Sequence, residues 1–364
     1  MKYLDEYRDR EISQMIVEKI RKTSRRPARL MEICGTHTMA IFRHGIRSLL
    51  PAGIELLSGP GCPVCVTSME DIDRCVALAD IPGVIITTFG DMIRVPGSVS
   101  SLGEKRSRGA DVRMVYSTFD ALDIARQNSD KDVVFLGVGF ETTAPTVAAA
   151  IKTAFAQSLK NFSVLSAHKL LPPAMDALLT GGDLEIEGFI CPGHVTTVIG
   201  TSPYERIAEQ YHVPCVVIGF EPVDILQGIL MLIEQIENGR SQVEIQYARG
   251  ANPQGNKNAM ALLDEIFVPR DSKWRGLGLI ADSGLRIREK FAVFDAERRF
   301  SLSVPEAHEP KGCRCAEVLK GAAKPVQCGL FRKLCTPRTP VGPCMVSSEG
   351  TCAAYFKYHI DQTA

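Results

Sequence analysis

The chain has 364 residues, 45% of them apolar, and its 42 basic side chains are matched by 42 acidic ones. Balanced charge excludes a dedicated polyanion surface, so no nucleic-acid partner is expected, and this apolar content suits two or three folded cores rather than a disordered chain. The segment Met1 to Arg8 is charged and carries no apolar signal core, and no later run is long enough to span a bilayer, so a cytoplasmic protein with no membrane partner is expected.

Residues 2–23 read as an amphipathic helix with Leu4, Tyr7, Ile12, Met15, Ile16 and Ile20 on one face, and Pro27 closes it. Short apolar runs then alternate with helical ones. Ala28 to Ile33 precedes Thr38 to Leu50, Ile54 to Ser58 precedes Ser68 to Ala79, Gly83 to Phe89 follows, and Val112 to Tyr116 precedes Phe119 to Gln127. A second series takes in Asp132 to Gly139, Thr142 to Gln157, Phe162 to Ala167, Pro172 to Leu179, Gly188 to Cys191, Val213 to Gly219 and Pro222 to Glu237. This alternation predicts an α/β fold with two similar parallel-sheet domains around a central cleft, over 1–127 (N-terminal helix included) and 128–247. A Cys-rich C-terminal domain is expected over 248–364, with a helix near Ala259 to Ile266 and the single Trp274. From Pro305 onward regular patterning fades into Pro, Gly and Cys, which suits a segment held by metal.

Twelve cysteines in a reducing compartment point to metal ligation or redox work rather than structural disulfides. Cys62 and Cys65 sit in Gly59-Pro60-Gly61-Cys62-Pro63-Val64-Cys65, a turn after an apolar run with a helix start just beyond. They fit a dithiol able to close to a disulfide, or half of a zinc site completed by Cys34 and His37. Cys34-Gly35-Thr36-His37 places a thiol three residues before an imidazole, a pattern for a soft metal or an activated nucleophile, with a buried Cys and a capping turn as the plainer reading. Cys191 and His194 repeat that spacing after another run, although Pro192-Gly193 also suits a simple turn. Glu141 and Glu221 each follow Gly-Phe at a presumed strand end, where a carboxylate either holds a ligand or caps the next helix; Asp91 belongs to the same class. Cys75 and Cys215 read as core residues. In the tail, Cys328, Cys335, Cys344 and Cys352 follow C-x6-C-x8-C-x7-C and can supply the thiolates of a cubane iron-sulfur cluster, the rival being a four-cysteine zinc site; Cys313 or Cys315 can displace one of the four.

In Cys34-Gly35-Thr36-His37-Thr38, Gly59 to Cys65, Gly139-Phe140-Glu141-Thr142-Thr143, Pro192-Gly193-His194-Val195 and Pro340 to Gly350 the chain resembles the HypD family of nickel-iron hydrogenase maturation factors. The resemblance implies a scaffold that works with a small HypC-type partner and receives cyanide from a HypE-type donor. On it a transient iron acquires two cyanides and one carbon monoxide, the Fe(CN)2CO unit. It also implies that Cys34 holds that iron with His37 beside it, and that Cys62 and Cys65 form a redox pair. Cys328, Cys335, Cys344 and Cys352 would hold a [4Fe-4S] cluster in the C-terminal iron-sulfur domain, with Glu141 and His194 lining the cleft.

Overall fold

The computed structural model describes residues 5–359 apart from residues 183, 303 and 305. Residues 2–4 of the expected first helix, Leu4 included, and Pro305 therefore lie outside the described residues. Eleven strands are present among those residues: β1 Ala28–Glu32, β2 Ile54–Ser58, β3 Val84–Thr88, β4 Asp111–Met114, β5 Asp132–Gly137, β6 Phe162–Ser166, β7 Gly188–Pro192, β8 Cys215–Ile218, β9 Val243–Ile245, β10 Phe267–Trp274 and β11 Gly278–Ile287. They form a five-stranded sheet in the order β2-β1-β7-β8-β9, a four-stranded sheet in the order β4-β3-β5-β6, and the hairpin β10-β11. All pairings within the two larger sheets are parallel.

Helices cover both faces of each parallel sheet, so the strands need apolar residues on both sides and read as continuous runs instead of alternations. In the first sheet Met31, Leu57, Phe189 and Val217 enter one core while Leu30, Leu56, Ile190 and Val216 enter the other. Each such side chain contributes about 1.5–3 kcal/mol on full burial.

Sheet membership does not follow the expected division at 127/128. The chain leaves the first sheet after β2, builds all of β3–β6 into the second, and returns through β7, which pairs with β1. Alternating elements predict parallel strands, but which strands become neighbours depends on crossovers that a one-dimensional pattern does not encode.

The N-terminal helix runs from Arg10 to Thr23 behind an Asp9 cap whose side chain accepts the Glu11 and Ile12 amides. Only Val17 and Ile20 are buried on it. Met15, expected on the apolar face, is 65% exposed. The hairpin β10-β11 is one of the regular elements that the sequence reading missed, with β9 and the helix Ser202–Tyr211. The hairpin's signal is the Gly-Leu-Gly at its tip, where Gly276 and Gly278 hold φ values of 84° and 79° that favour glycine. Trp274 ends β10, stacks on Phe140 at 6.0 Å and donates its indole N–H to Ser283 at 2.8 Å. In the tail, the helix Thr351–Tyr358 lies on the helix Gly35–Arg43, with Phe42 and Tyr355 ring centroids 4.4 Å apart. Among the described residues no helix is long and apolar enough to cross a membrane.

Candidate functional site

Because β2, β1, β7 and β8 are parallel neighbours, the loops leaving their carboxyl ends line one edge of the first sheet, where open α/β sheets gather functional groups. Those loops carry Gly59 to Cys62, Ile33 to Thr36, Gly193-His194 and Gly219 to Glu221. The first two are pressed together. Gly35 N–H donates to Gly61 O at 2.9 Å, and a Cβ on Gly61 would lie 2.1 Å from Cys34 N and 2.4 Å from Cys34 Cα.

Cys34 is the N-cap of the helix Gly35–Arg43 and is part-buried. Burial, and after it the Glu349 carboxylate, push its thiol up to about 12, while the neighbouring His37 and Thr36 amides oppose the shift. The thiol is therefore protonated at neutral pH. A cation bound there would have to displace that proton, and the two neighbouring amides would then favour the thiolate. Two acids flank the motif. Glu349 accepts the Thr36 hydroxyl at 2.7 Å. Glu32, fully buried, accepts the Cys34 amide at 3.3 Å and the Thr38 hydroxyl, and burial raises it to about 8 against those hydrogen bonds, that of Ser58 and the Arg47 charge. Neither acid was singled out in the sequence, although a carboxylate inside the apolar run Leu30 to Ile33 was a legible signal for Glu32.

His37 is fully buried and donates from Nε2 to Gly219 O at 2.9 Å, with Ile218 O at 3.2 Å. Those carbonyls fix the tautomer and leave Nδ1 as a buried acceptor without a partner. Burial lowers the ring to about 4, so it is neutral in the physiological range. Phe220 stacks between the two imidazoles, 4.7 Å from His37 and 4.0 Å from His194. The two Cys-x-x-His repeats thus meet across β1 and β7, but only through their histidines. Cys191 lies inside β7, fully buried, as Cys215 is inside β8.

Cys62 and Cys65 form a disulfide with Cα atoms 5.2 Å apart. Cys62 caps the short helix Pro63–Val66 and its sulfur accepts the Cys65 amide at 3.3 Å. The Cys65 sulfur lies 3.9 Å from Pro343 O, next to the tail residue Cys344. The disulfide is therefore in contact with the C-terminal segment on one side while its loop abuts Cys34 on the other.

Glu141 sits at the end of the second sheet's β5 region, and among the described residues no hydrogen bond joins it to Cys34, His37, Cys62 or Cys65. Its Oε1 accepts the Leu171 amide at 2.8 Å, at the start of the helix Leu171–Thr180, and its Oε2 is buried without a partner. Glu221 has the capping role: its side chain closes a capping box with Asp224 at the start of the helix Pro222–Glu237. Asp91 is in the short, part-buried helix Gly90–Ile93 and pairs with Arg94 at 3.8 Å.

Burial raises Glu141 to about 7 from an ordinary 4.5, although the Glu141 and Leu171 amides donate to it. The folded state holds this proton at pH values where the unfolded chain has lost it. Its contribution is thus complete below about pH 4.5 and is lost as pH rises to about 7, a change of about 3 kcal/mol. Glu141→Gln removes the titration. The stability difference, Gln variant minus wild type, is expected to rise by that order between pH 4.5 and 7.5 in urea unfolding, and a constant difference would contradict the assignment.

In the tail all six cysteines, Cys313, Cys315, Cys328, Cys335, Cys344 and Cys352, line one small apolar chamber with Leu330, Phe331 and Met345. Cys315 makes sulfur hydrogen bonds with Cys313 and Cys344, and Cys344 makes another with Cys352. The sequence reading left Cys313 and Cys315 outside the preferred set; the fold puts both on the chamber wall. Among the described residues no three Cys, His, Asp or Glu side chains are drawn to a single metal-ion position. One zinc ion requires every sulfur within about 2.3 Å of one point, whereas a cubane takes one thiolate per iron, so the thiol-lined apolar chamber fits the larger group better.

The family model named HypD and described as "Hydrogenase formation hypA family" matches residues 11–359. The chain is 50% identical to the hydrogenase maturation factor HypD of Azotobacter vinelandii, over 98% of this chain and 97% of that one. It is 46% identical to the HypD of Cupriavidus necator, over 98% and 97% of the two chains. The same identity holds for the HypD of Escherichia coli K12, over 98% of each. A match across nearly the whole length, through every motif of the sheet edge and the chamber, makes the chain a member of the HypD family of hydrogenase maturation factors.

Proposed function

We propose that the sheet edge is the bench on which the iron of the hydrogenase centre is dressed with cyanide and carbon monoxide, with a HypC-type protein as co-ligand donor and a HypE-type protein as cyanide donor. The observation that carries this reading is the contiguity of the sulfur groups: Cys34 against Gly61, Cys62 bonded to Cys65, and Cys65 against Pro343 at the chamber wall.

Cys34 binds the substrate iron, its proton leaving as the cation arrives. His37, locked by the Gly219 and Ile218 carbonyls, keeps the loop after β8 beside Cys34 and offers Nδ1 to a donor on the incoming group. His194 is exposed, at the outer side of the same aromatic stack. The reduced Cys62-Cys65 pair delivers two electrons to a thiocyanate: the sulfur–carbon bond breaks, cyanide leaves for iron, the donor cysteine leaves as a thiol, and the pair closes to the disulfide. The chamber thiolates would hold a [4Fe-4S] cluster, which when bound would supply single electrons for reopening the disulfide. Cys328, Cys335 and Cys352 are ligands in this reading, and the fourth is Cys344 or Cys313. Cys344 is the choice from spacing, but its hydrogen bond to Cys315 and its place beside Pro343 leave Cys313 as the competitor.

The test is anaerobic co-expression with the small partner. About four irons and four labile sulfides per chain are expected, together with infrared bands of metal-bound cyanide and carbonyl. Cys328→Ala, Cys335→Ala and Cys352→Ala should lose the brown cluster, and whichever of Cys344→Ala and Cys313→Ala also loses it names the fourth ligand. A cluster with no infrared bands, even with the cyanide donor co-expressed, would transfer the assignment to an iron-sulfur disulfide reductase.

A further inference from the structure

We infer that Arg275, at the tip of the β10-β11 hairpin, is the buried counter-charge that sets the reduction potential of the cysteine chamber. This rests on the cluster reading above. The residue is 2% exposed, and its backbone N–H donates to Val66 O at 2.8 Å. Its Nε donates to Thr67 O at 3.2 Å, so the guanidinium is fastened to the turn that follows Cys65. The next residue meets the chamber from the other side: a Cβ on Gly276 would lie 2.7 Å from Ala316 O and 2.9 Å from Ala316 Cα, directly after Cys315. Arg275 is thereby wedged between the disulfide helix and the helix Cys315–Leu319.

Its charge is incompletely neutralised. Nη1 donates to Glu309, whose side chain is 51% exposed and shares its charge with water, while Nη2 is buried without a partner. A guanidinium is an expensive group to bury when half paired, and its hydrogen bond to Thr67 O offsets only part of that cost. Every electron entering the chamber adds negative charge, and a fixed buried cation favours that state in a low-dielectric wall. Glu309, on the same guanidinium, works in the opposite direction.

The measurement is a potentiometric titration of the anaerobic full-length protein, followed by the paramagnetic signal of the reduced cluster, for wild type, Arg275→Gln, Arg275→Lys and Glu309→Gln. Arg275→Gln should make one-electron reduction at least tenfold harder, a drop of about 59 mV. Arg275→Lys should recover most of that shift, and Glu309→Gln should move the potential upward. A residue that merely fills space would give equal potentials in all four proteins, which overturns the inference. Should Arg275→Gln fail to fold, Glu309→Gln alone decides, and an unchanged or lowered potential overturns it. Wild-type protein free of iron and sulfide would instead overturn the cluster reading, and this one with it.

Discussion

Cys34→Ala is expected to abolish the cyanide and carbonyl infrared bands of the complex with the small partner while leaving the cluster absorption and the fold intact. The substitution removes one sulfur at a helix N-terminus and touches neither sheet. Cys34 is part-buried, and its polar contacts are made by backbone amides that keep their positions when the side chain shrinks. Stability should fall by no more than about 1–2 kcal/mol. Loss of iron, in contrast, should be complete, because the other donors around this loop are the hard oxygens of Thr36, Glu32 and Glu349 and the Nδ1 of a neutral, carbonyl-locked His37. Cys34→Ser separates the two requirements. Its hydroxyl suits a helix N-cap but is a hard, weakly acidic donor for a low-valent iron, so its bands should be as weak as those of Cys34→Ala. Bands of wild-type intensity in either variant would move the iron elsewhere on the sheet edge and leave Cys34 as a structural cap.

The strands and helices were largely legible in the sequence because each is short, apolar and punctuated. β1, β2, β6 and β7 fall within a residue or two of the predicted runs, and so does the helix Pro222–Glu237, whose Pro and capping acids mark its start. The interleaving of the two sheets was hidden, since nothing in β7 says that its neighbour is β1 rather than β6. That pairing is what makes the site. It brings His194 to His37 through Phe220, while the Gly-Phe-Glu that follows β5 comes from the other sheet and its Glu141 accepts the Leu171 amide. The two Gly-Phe-Glu repeats looked equivalent in one dimension, yet one sits at the sheet edge and the other caps a helix in the core. Glu32, a lone carboxylate in an apolar run, was a signal left unread, whereas Arg275 follows Asp271-Ser272-Lys273-Trp274 and nothing in that stretch announces its burial.

Gly61→Ala is expected to be among the most damaging single-methyl additions in the chain. Gly61 is not at positive φ, so its backbone conformation suits any residue, and what demands glycine is space. The added Cβ would lie 2.1 Å from Cys34 N and 2.4 Å from both Cys34 Cα and Ile33 C, all backbone atoms that cannot swing aside as a side-chain end can. Relief requires the loops after β1 and β2 to separate, which breaks the Gly35 to Gly61 hydrogen bond and pulls Cys34 away from the disulfide loop. A cost above about 3 kcal/mol is expected, beyond the usual range for overpacking a side-chain core. Gly83→Ala is the control with the opposite cause: φ there is 80° and nothing lies within 4 Å of the added carbon, so the cost is backbone strain of about 1–2 kcal/mol with iron loading unchanged. Thermal unfolding read beside the infrared bands distinguishes the two. If Gly61→Ala lost no more stability than Gly83→Ala and kept its bands, close contact between the two sulfur loops would not be what holds Cys34 in place, and the contiguity on which the proposed function stands would have to be given up.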